Sequence, residues 1–264
     1  MSDAFEPITV IIISRNRPIY LWACLDSLYR HTRHAARFVL VDNQSDDPGV
    51  RSVVAGFERR GMLAATEWHD SNSPKRVAEA VARYRDSPGE YLVVIESDVM
   101  VFDTDPCWLS RMRNLMNTHP EIGILGSYID GRDFVDPARG RQAAPHLDEH
   151  SFNRVIKATS SERSLPLDPP PEEVIDPFNP PGRLAMLRKS IIDAVPYGTD
   201  TFVYQQAKAA GIRAGIATQV RHRHLSLINI FDYPDYDVHA RDEFVRANLT
   251  GTPVAALDRQ RGST

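Results

Sequence analysis

The sequence predicts an α/β protein in which helices flank a doubly wound, mostly parallel sheet. Short β-branched runs alternate with amphipathic segments through the first hundred residues, in the order βαβαβαβ. Successive runs end in polar or acidic residues, so polar loops are expected to meet at the carboxyl edge of the sheet, where such folds bind ligands. A chain of 264 residues can form one large domain with a sizeable core.

The strands of this first half read as continuous apolar runs, which is typical of buried parallel strands, with one shorter edge strand. The helices between them carry apolar residues at the i, i+3, i+4, i+7 spacing of one helix face. Proline stands near the start of two helices. The strands are predicted at 8–13, 37–41, 66–69 and 91–95, and the helices are predicted to begin near Pro18, Val50 and Pro74.

The second half is less regular. Residues 130–181 are rich in Asp, Arg and Pro, and the one regular element expected among them is a short helix near 148–157. Long irregular segments in compact domains are commonly functional or disordered, and Phe178 and other apolar residues favour an ordered substrate loop over disorder. Regular structure is predicted before and after it, as a helix from Trp108, strands at 122–129, 183–187 and 212–220, and helices at 189–194 and directly after Asp200.

Composition narrows the functional class. A formal net charge of −4, with 25% charged and 42% hydrophobic residues, is ordinary for a globular protein and does not favour nucleic acid as a partner. No run approaches the about 18 apolar residues of a membrane span, and the N-terminus does not resemble a signal peptide. Cys24 and Cys107 lack metal-type spacing and read as buried, reduced thiols. We expect a cytoplasmic protein whose contact with a membrane, if it has one, is peripheral.

The stretch 91–102, YLVVIESDVMVF, organises the prediction of a site. A buried strand here runs directly into Glu96 and Asp98. Because a buried carboxylate is costly unless it is paired or coordinates a cation, this pattern indicates a hard-metal or polar-ligand site at the carboxyl edge. The alternative is that these are loop acids that cap the next helix. The second strand also runs into acid, beginning at Asp42.

Four motifs, in this order, resemble those of family 2 glycosyltransferases of the GT-A fold, over roughly residues 8–226. ITVIIISRNRP resembles the first strand and its Thr/Ser-x-Asn-Arg loop, and FVLVDNQSDD the second strand with its acidic end. IESD resembles the Asp-x-Asp region. PYGTDTFVYQQAKAAG resembles the late Glu-Asp motif, with its eleven-residue step from Asp200 to Gly211 preserved.

The resemblance implies a metal-dependent, inverting transfer of a sugar from a nucleotide-diphosphate sugar to a hydroxyl acceptor, which would be a glycan, a lipid-linked molecule or a small molecule. The implied cofactor is Mn²⁺ or Mg²⁺, which neutralises charge on the leaving diphosphate. Asp98 is the expected metal ligand, together with a histidine after the last strand, His222 or His224. His222 is favoured because the family pattern puts this histidine immediately after the strand. The alternative is a solvated basic turn.

The resemblance also implies a set of nucleotide-sugar contacts. Glu96 replaces the family's first aspartate and is expected to accept hydrogen bonds from ribose or sugar hydroxyls, and Asp42 is expected to contact the base or ribose. For the basic members, a solvated helix end is the alternative. The expected set is Ser14, Arg15, Arg17, Asp42, Lys75, Arg76, Glu96, Ser97 and Asp98.

Asp200 resembles the aspartate that removes the acceptor's proton in inverting members of the family. The spacing to Gly211 supports this role. Thr199 replaces the usual glutamate, and an aspartate before a helix is also a common N-cap, so a capping role stays open.

The implied organisation is one GT-A domain. It would consist of a nucleotide-binding half at 8–102, an acceptor half at 103–226 that includes the loop region 130–182, and a C-terminal extension at 227–264. Two other functions remain open. A nucleotidyltransferase would usually have a glycine-rich loop after the first strand, and SRNRP has no glycine. A catalytically silent nucleotide-sugar-binding protein is kept open by the two departures from the motifs, Glu96 and Thr199.

Overall fold

The structure is a computed structural model that describes residues 6–130, 138, 141–142, 145, 147–150, 152, 168–177, 183–195, 197 and 200–225. Two compact units share the chain. One comprises Met1–Asp130 and Asp168–Arg223, and the other Gly131–Leu167 and His224–Thr264. The predicted loop region 130–182 is described only in part, and the extension 227–264 lies outside the described residues.

Nine strands and five α-helices form the described fold. No described helix has the length and apolar character needed to cross a membrane. The strands are β1 (Ile8–Ser14), β2 (Ala36–Asn43), β3 (Leu63–His69), β4 (Tyr91–Glu96), β5 (Val99–Val101), β6 (Ile122–Asp130), β7 (Val174–Ile175), β8 (Leu184–Arg188) and β9 (Arg213–His224). The helices are α1 (Pro18–His31), α2 (Pro48–Arg59), α3 (Arg76–Tyr84), α4 (Trp108–Thr118) and α5 (Asp200–Ala209).

The first four strands form the parallel half of the sheet, in the order β3-β2-β1-β4. This confirms the predicted doubly wound arrangement. The register pairs Ser14 with Asp42 and Ile13 with Glu96, so the ends of three strands lie side by side. Since parallel strands share one carboxyl edge, the polar residues that follow each strand lie at the same edge.

The remaining strands form a mixed half that the sequence did not predict. β8 lies between β4 and β6 and is antiparallel to both, whereas β9 is parallel to β6. β5 occupies the far edge beside β9, and β7 also pairs with β9. The stretch 91–102 is therefore two strands, because the chain turns at Ser97 and Asp98 and leaves β4 for the opposite edge.

Two elements predicted in the second half of the chain differ clearly from the structure. The predicted helix at 189–194 is a short 3₁₀ turn, Lys189–Ile191, and the strand predicted at 212–220 continues to His224. The added residues of β9 pair with the end of β6, where Ile129 faces His222. Alternating burial continues through them, so His222 and His224 belong to one buried face of a strand and not to a turn after it.

The core lies on both faces of the sheet, as double winding requires. Val10 and Ile12 of β1 face a cluster that includes residues of α1, α2 and α4, whereas Ile11 faces a cluster that includes residues of α3 and α5. The same alternation holds in β2 and β4. Because helices cover both faces of the sheet, the polar loops that follow the strands at the carboxyl edge are held on a rigid support.

Candidate active site

The turn between β4 and β5 carries Glu96, Ser97 and Asp98. The Ser97 backbone N–H donates to the Ile13 carbonyl at 3.1 Å, and the Glu96 N–H donates to the Arg183 carbonyl at 2.9 Å. Ser97 and Asp98 are buried, with Asp98 only 5% exposed, while Glu96 is partly exposed. Backbone bonds to elements on both sides therefore fix the direction in which the two carboxylates leave the sheet.

One group of side chains in the described part of the chain has the composition of a metal site. It consists of Glu96, Asp98 and His224, whose ligand atoms all lie within 4.8 Å of one another. Two carboxylate oxygens and one imidazole nitrogen form a donor set suited to Mn²⁺ and to related divalent ions. The residues present thus fit the metal that the sequence analysis expected.

The structure groups His224 with the carboxylates, and not the favoured His222. His222 lies two residues earlier on the same face of β9, and its Nδ1 is 2.7 Å from Ser127 Oγ in a buried contact with β6. His224 ends the strand and is 1% exposed. The preference for His222 depended on a strand that stopped at Val220, and β9 continues four residues further.

Each of the two carboxylates contacts an arginine. Arg17 Nη1 lies 3.7 Å from Asp98 Oδ2, and Arg183 Nη1 lies 3.1 Å from Glu96 Oε2. Arg17 was expected at the site from the sequence, whereas Arg183 was not. Its only signal in the sequence was a basic residue at the start of the predicted strand 183–187, and that signal becomes specific only when β8 is known to lie beside β4.

The loop after β1 is joined to the loop after β2 by hydrogen bonds of Asn16. Its backbone N–H donates to Ser45 Oγ at 2.6 Å, and its Oδ1 accepts from the N–H groups of Asp46 and Asp47 at 2.9 and 3.1 Å. Asn16 and Arg17 both adopt the left-handed conformation, with φ of 54° and 63°. This backbone turn directs the Arg17 side chain to Asp98.

Asp42 lies at the edge as expected, but its carboxylate is buried and engaged. It is 1% exposed, and its two oxygens accept hydrogen bonds from the Ser45 N–H at 2.7 Å and from Ser45 Oγ at 2.5 Å. Ser14, its neighbour across β1 and β2, is also buried. The observed contacts of Asp42 thus order the loop that follows β2.

The basic residues expected near the phosphates occupy different environments. Arg15 and Lys75 are exposed, whereas Arg76 is mostly buried. The Arg76 guanidinium donates to Glu79 Oε2 at 2.6 Å and to the Ser71 carbonyl at 3.1 Å, which stabilises the loop before α3. Asn43 joins this same loop to β2.

Two further buried groups support the edge, and one of them, Cys24, is the buried, reduced thiol that the sequence predicted. Asp130, at the end of β6, accepts from Arg221 Nη2 at 2.9 Å. Cys24 of α1 lies with its Sγ 3.8 Å from the Glu96 carbonyl oxygen. Burial, together with the negative charge of Asp98, raises the pKa of the Cys24 thiol well above its usual range. Cys24 is therefore a neutral packing group beneath the turn.

Asp200 is the first residue of α5. Its side chain and Thr199 lie outside the described residues, so the roles of base and of helix cap both remain predictions. The remaining expected residue, Ser97, is buried in the turn between β4 and β5.

No family model and no curated protein matches the chain. Solved structures do resemble it. A mannosyltransferase from Pyrobaculum calidifontis, in complex with GDP-mannose and Mn²⁺, has a TM-score of 0.54 and 18% identity over 88% of this chain. S. aureus TarS has a TM-score of 0.55 and 13% identity over 93% of it. Of those two chains, the match covers 59% and 43%.

A third structure is matched over more of its own length. It is glucosyl-3-phosphoglycerate synthase from Mycobacterium tuberculosis, in complex with Mn²⁺, UDP and glucosyl-3-phosphoglycerate. Its TM-score is 0.51, with 12% identity over 94% of this chain and 80% of that one. These likenesses agree with the mixed, mostly parallel sheet described above, and the chain therefore has the GT-A fold.

Proposed function

We propose that the chain is a metal-dependent, inverting glycosyltransferase that moves a sugar from a nucleotide-diphosphate sugar to a hydroxyl acceptor. The observation that carries this proposal is the group formed by Glu96, Asp98 and His224 at the carboxyl edge of a GT-A sheet. Structures with the same fold were solved with Mn²⁺ and either GDP-mannose or UDP. The GT-A fold and the three side chains that could bind a metal are independent observations, and both support the same reaction.

In this proposal, Asp98 and His224 hold the divalent cation, with Glu96 beside them. Asp98 and His224 are nearly fully buried, so packing limits the positions that their ligand atoms can adopt. When bound, Mn²⁺ or Mg²⁺ would neutralise the charge that develops on the leaving diphosphate. Glu96 is the more exposed of the two acids, and it is also able to accept a hydrogen bond from a sugar or ribose hydroxyl.

The nucleotide would lie along the loops that follow β1 and β2. Asp42 would contribute to nucleotide binding indirectly, because it orders the turn at Ser45, which accepts a hydrogen bond from the Asn16 backbone N–H. Arg15 and Lys75 are exposed cations and are suited to the donor's phosphates. Arg76, which is occupied by Glu79 and Ser71, would act by holding the loop before α3.

The acceptor's proton would be taken by Asp200. A carboxylate at the start of α5 gives the inverting reaction a base, provided that it reaches the attacking hydroxyl. The acceptor, a glycan, a lipid-linked molecule or a small molecule, would be selected by residues of the region 130–182. We also propose that the protein acts in the cytoplasm.

A thermal-shift panel tests the proposal. UDP-, GDP-, CMP- and dTDP-sugars are each measured with and without Mn²⁺, because a ligand that binds the native state raises its stability by mass action. We expect one nucleotide class to raise the melting temperature only with the metal. Slow release of free sugar from that donor would then separate an active transferase from a catalytically silent binder. No shift with any donor would contradict the proposal.

A further inference from the structure

Arg183 is tied to Glu96 by two contacts of different kinds. Its guanidinium Nη1 lies 3.1 Å from Glu96 Oε2, and its backbone carbonyl accepts the Glu96 N–H at 2.9 Å. Arg17 approaches the neighbouring acid, Asp98, at the longer distance of 3.7 Å. Of these two arginines, Arg183 is held more directly against the candidate metal group.

These contacts have an electrostatic consequence for a metal ion. A divalent cation held by Asp98 and His224 beside Glu96 would lie close to two guanidinium groups, and like charges at such distances repel. The Arg183 side chain is only 24% exposed, so solvent screens this repulsion incompletely. The diphosphate of a sugar nucleotide carries about two negative charges at neutral pH. Its arrival would replace the repulsion with attraction to the metal and to the arginines.

We propose that Arg183 is a positioning residue that couples metal binding to donor binding. Because Arg183 is paired with Glu96, it keeps the affinity of the site for the metal alone low. The same guanidinium is in place to bind the incoming diphosphate. Metal and nucleotide therefore raise each other's affinity, and by linkage the two factors are equal. This inference rests on the proposed function, because it takes the donor to be a nucleotide diphosphate.

The geometry also predicts which substitution preserves the coupling. Lysine retains the positive charge of Arg183 but lacks the planar, two-pronged donor that matches a carboxylate. Methionine retains much of the side-chain volume and removes the charge. Arg213→Met is a matched control, since Arg213 begins β9, forms a surface pair with Glu121 at 3.0 Å, and loses the same charge on substitution.

The test is calorimetric titration of Mn²⁺ into the 264-residue chain, first alone and then with saturating UDP or GDP, whichever gives the thermal shift. We expect Arg183→Met to bind Mn²⁺ alone about tenfold more tightly than wild type does. The factor by which the nucleotide raises the Mn²⁺ affinity, here called the enhancement, should be about tenfold smaller than in wild type. Arg183→Lys should retain most of that enhancement, and Arg213→Met should behave as wild type. Circular dichroism checks folding, with Arg183→Gln as a second neutral variant.

A Glu96→Gln background shows whether Arg183 acts through Glu96. There, Arg183→Met should change Mn²⁺ affinity by much less than in wild type. Unchanged or weaker Mn²⁺ binding by both neutral Arg183 variants would overturn the inference. If wild type binds Mn²⁺ and nucleotide but Arg183→Met keeps the full enhancement, only this inference fails. If wild type binds no nucleotide with Mn²⁺, the proposed function fails with it.

Discussion

His222 Nδ1 lies 2.7 Å from Ser127 Oγ, in a buried contact that joins β9 to β6 two residues before the end of β9. This contact predicts different roles for the two histidines of the sequence Arg-His-Arg-His. His222 contacts β6 through Ser127, whereas His224 lies with Glu96 and Asp98. The two histidines are on one face of the strand, two residues apart, and have different neighbours.

Substituting the two histidines one at a time should separate these roles. His224→Ala is expected to abolish the Mn²⁺-dependent thermal shift with the donor, because it removes a ligand atom from the group. His222→Ala is expected to retain that shift but to lower the free energy of unfolding by about 1–3 kcal/mol, because it leaves Ser127 without its imidazole partner. Urea unfolding and the thermal-shift panel measure the two effects. The reverse pattern would show that His222 is the ligand.

Asp98→Asn should remove metal-dependent activity and leave the fold intact. The amide is nearly isosteric with the carboxylate but provides no negative charge to the cation, so donor turnover should fall by at least about 100-fold. Asp103→Asn is the matched control. It removes the same charge from an exposed pair with Arg33, and such surface pairs contribute about 0–1 kcal/mol. Activity of Asp98→Asn within a few fold of wild type would contradict the assignment.

Asp200→Asn should retain binding of the donor and lose transfer to the acceptor. If Asp200 is the base, the transfer rate should fall by about 100- to 10,000-fold while the metal-dependent thermal shift is unchanged. A helix cap gives a different result, because asparagine caps helices as well as aspartate does and would leave the rate near wild type. Asp193→Asn, in an exposed pair with Arg85, controls for the loss of one carboxylate charge.

Glu67 in the edge strand β3 is expected to make the stability of the protein depend on pH. Burial raises the pKa of Glu67, but hydrogen bonds from Tyr84 and Arg83 outweigh it and hold that pKa below its usual 4.5. Because the folded pKa is the lower one, Glu67 stabilises the protein above its unfolded pKa, and this contribution is lost as the pH falls below about 4.5.

Urea unfolding between pH 3 and 7 should therefore show a smaller loss of stability on acidification for Glu67→Gln than for wild type. The difference between the two proteins should be largest at neutral pH and should shrink in acid. Tyr84→Phe, which removes one of the hydrogen bonds, should lie between them. Parallel pH profiles for all three proteins would contradict the prediction.

The parallel half of the fold was predictable because each of its units is local. Ile8 to Ile13 reads as a buried strand from its β-branched run, Pro18 opens the next helix, and the right-handed crossover rule then sets the neighbouring strand. The mixed half was not predictable in this way. Nothing local places Arg183 beside Glu96, 87 residues earlier, because that contact depends on β8 running antiparallel to β4.

The sequence by itself determined the chemistry available to this protein: carboxylates directly after a buried strand, histidines near the end of the sheet, and arginines in the first loop. These follow from residue type and from the cost of burying charge, which are properties of short segments. Only the tertiary structure decided which of these groups meet. Strand order and register are set by the packing of the whole sheet, so they alone bring His224 to Glu96 and Asp98, assign His222 to Ser127, and pair Arg183 with Glu96.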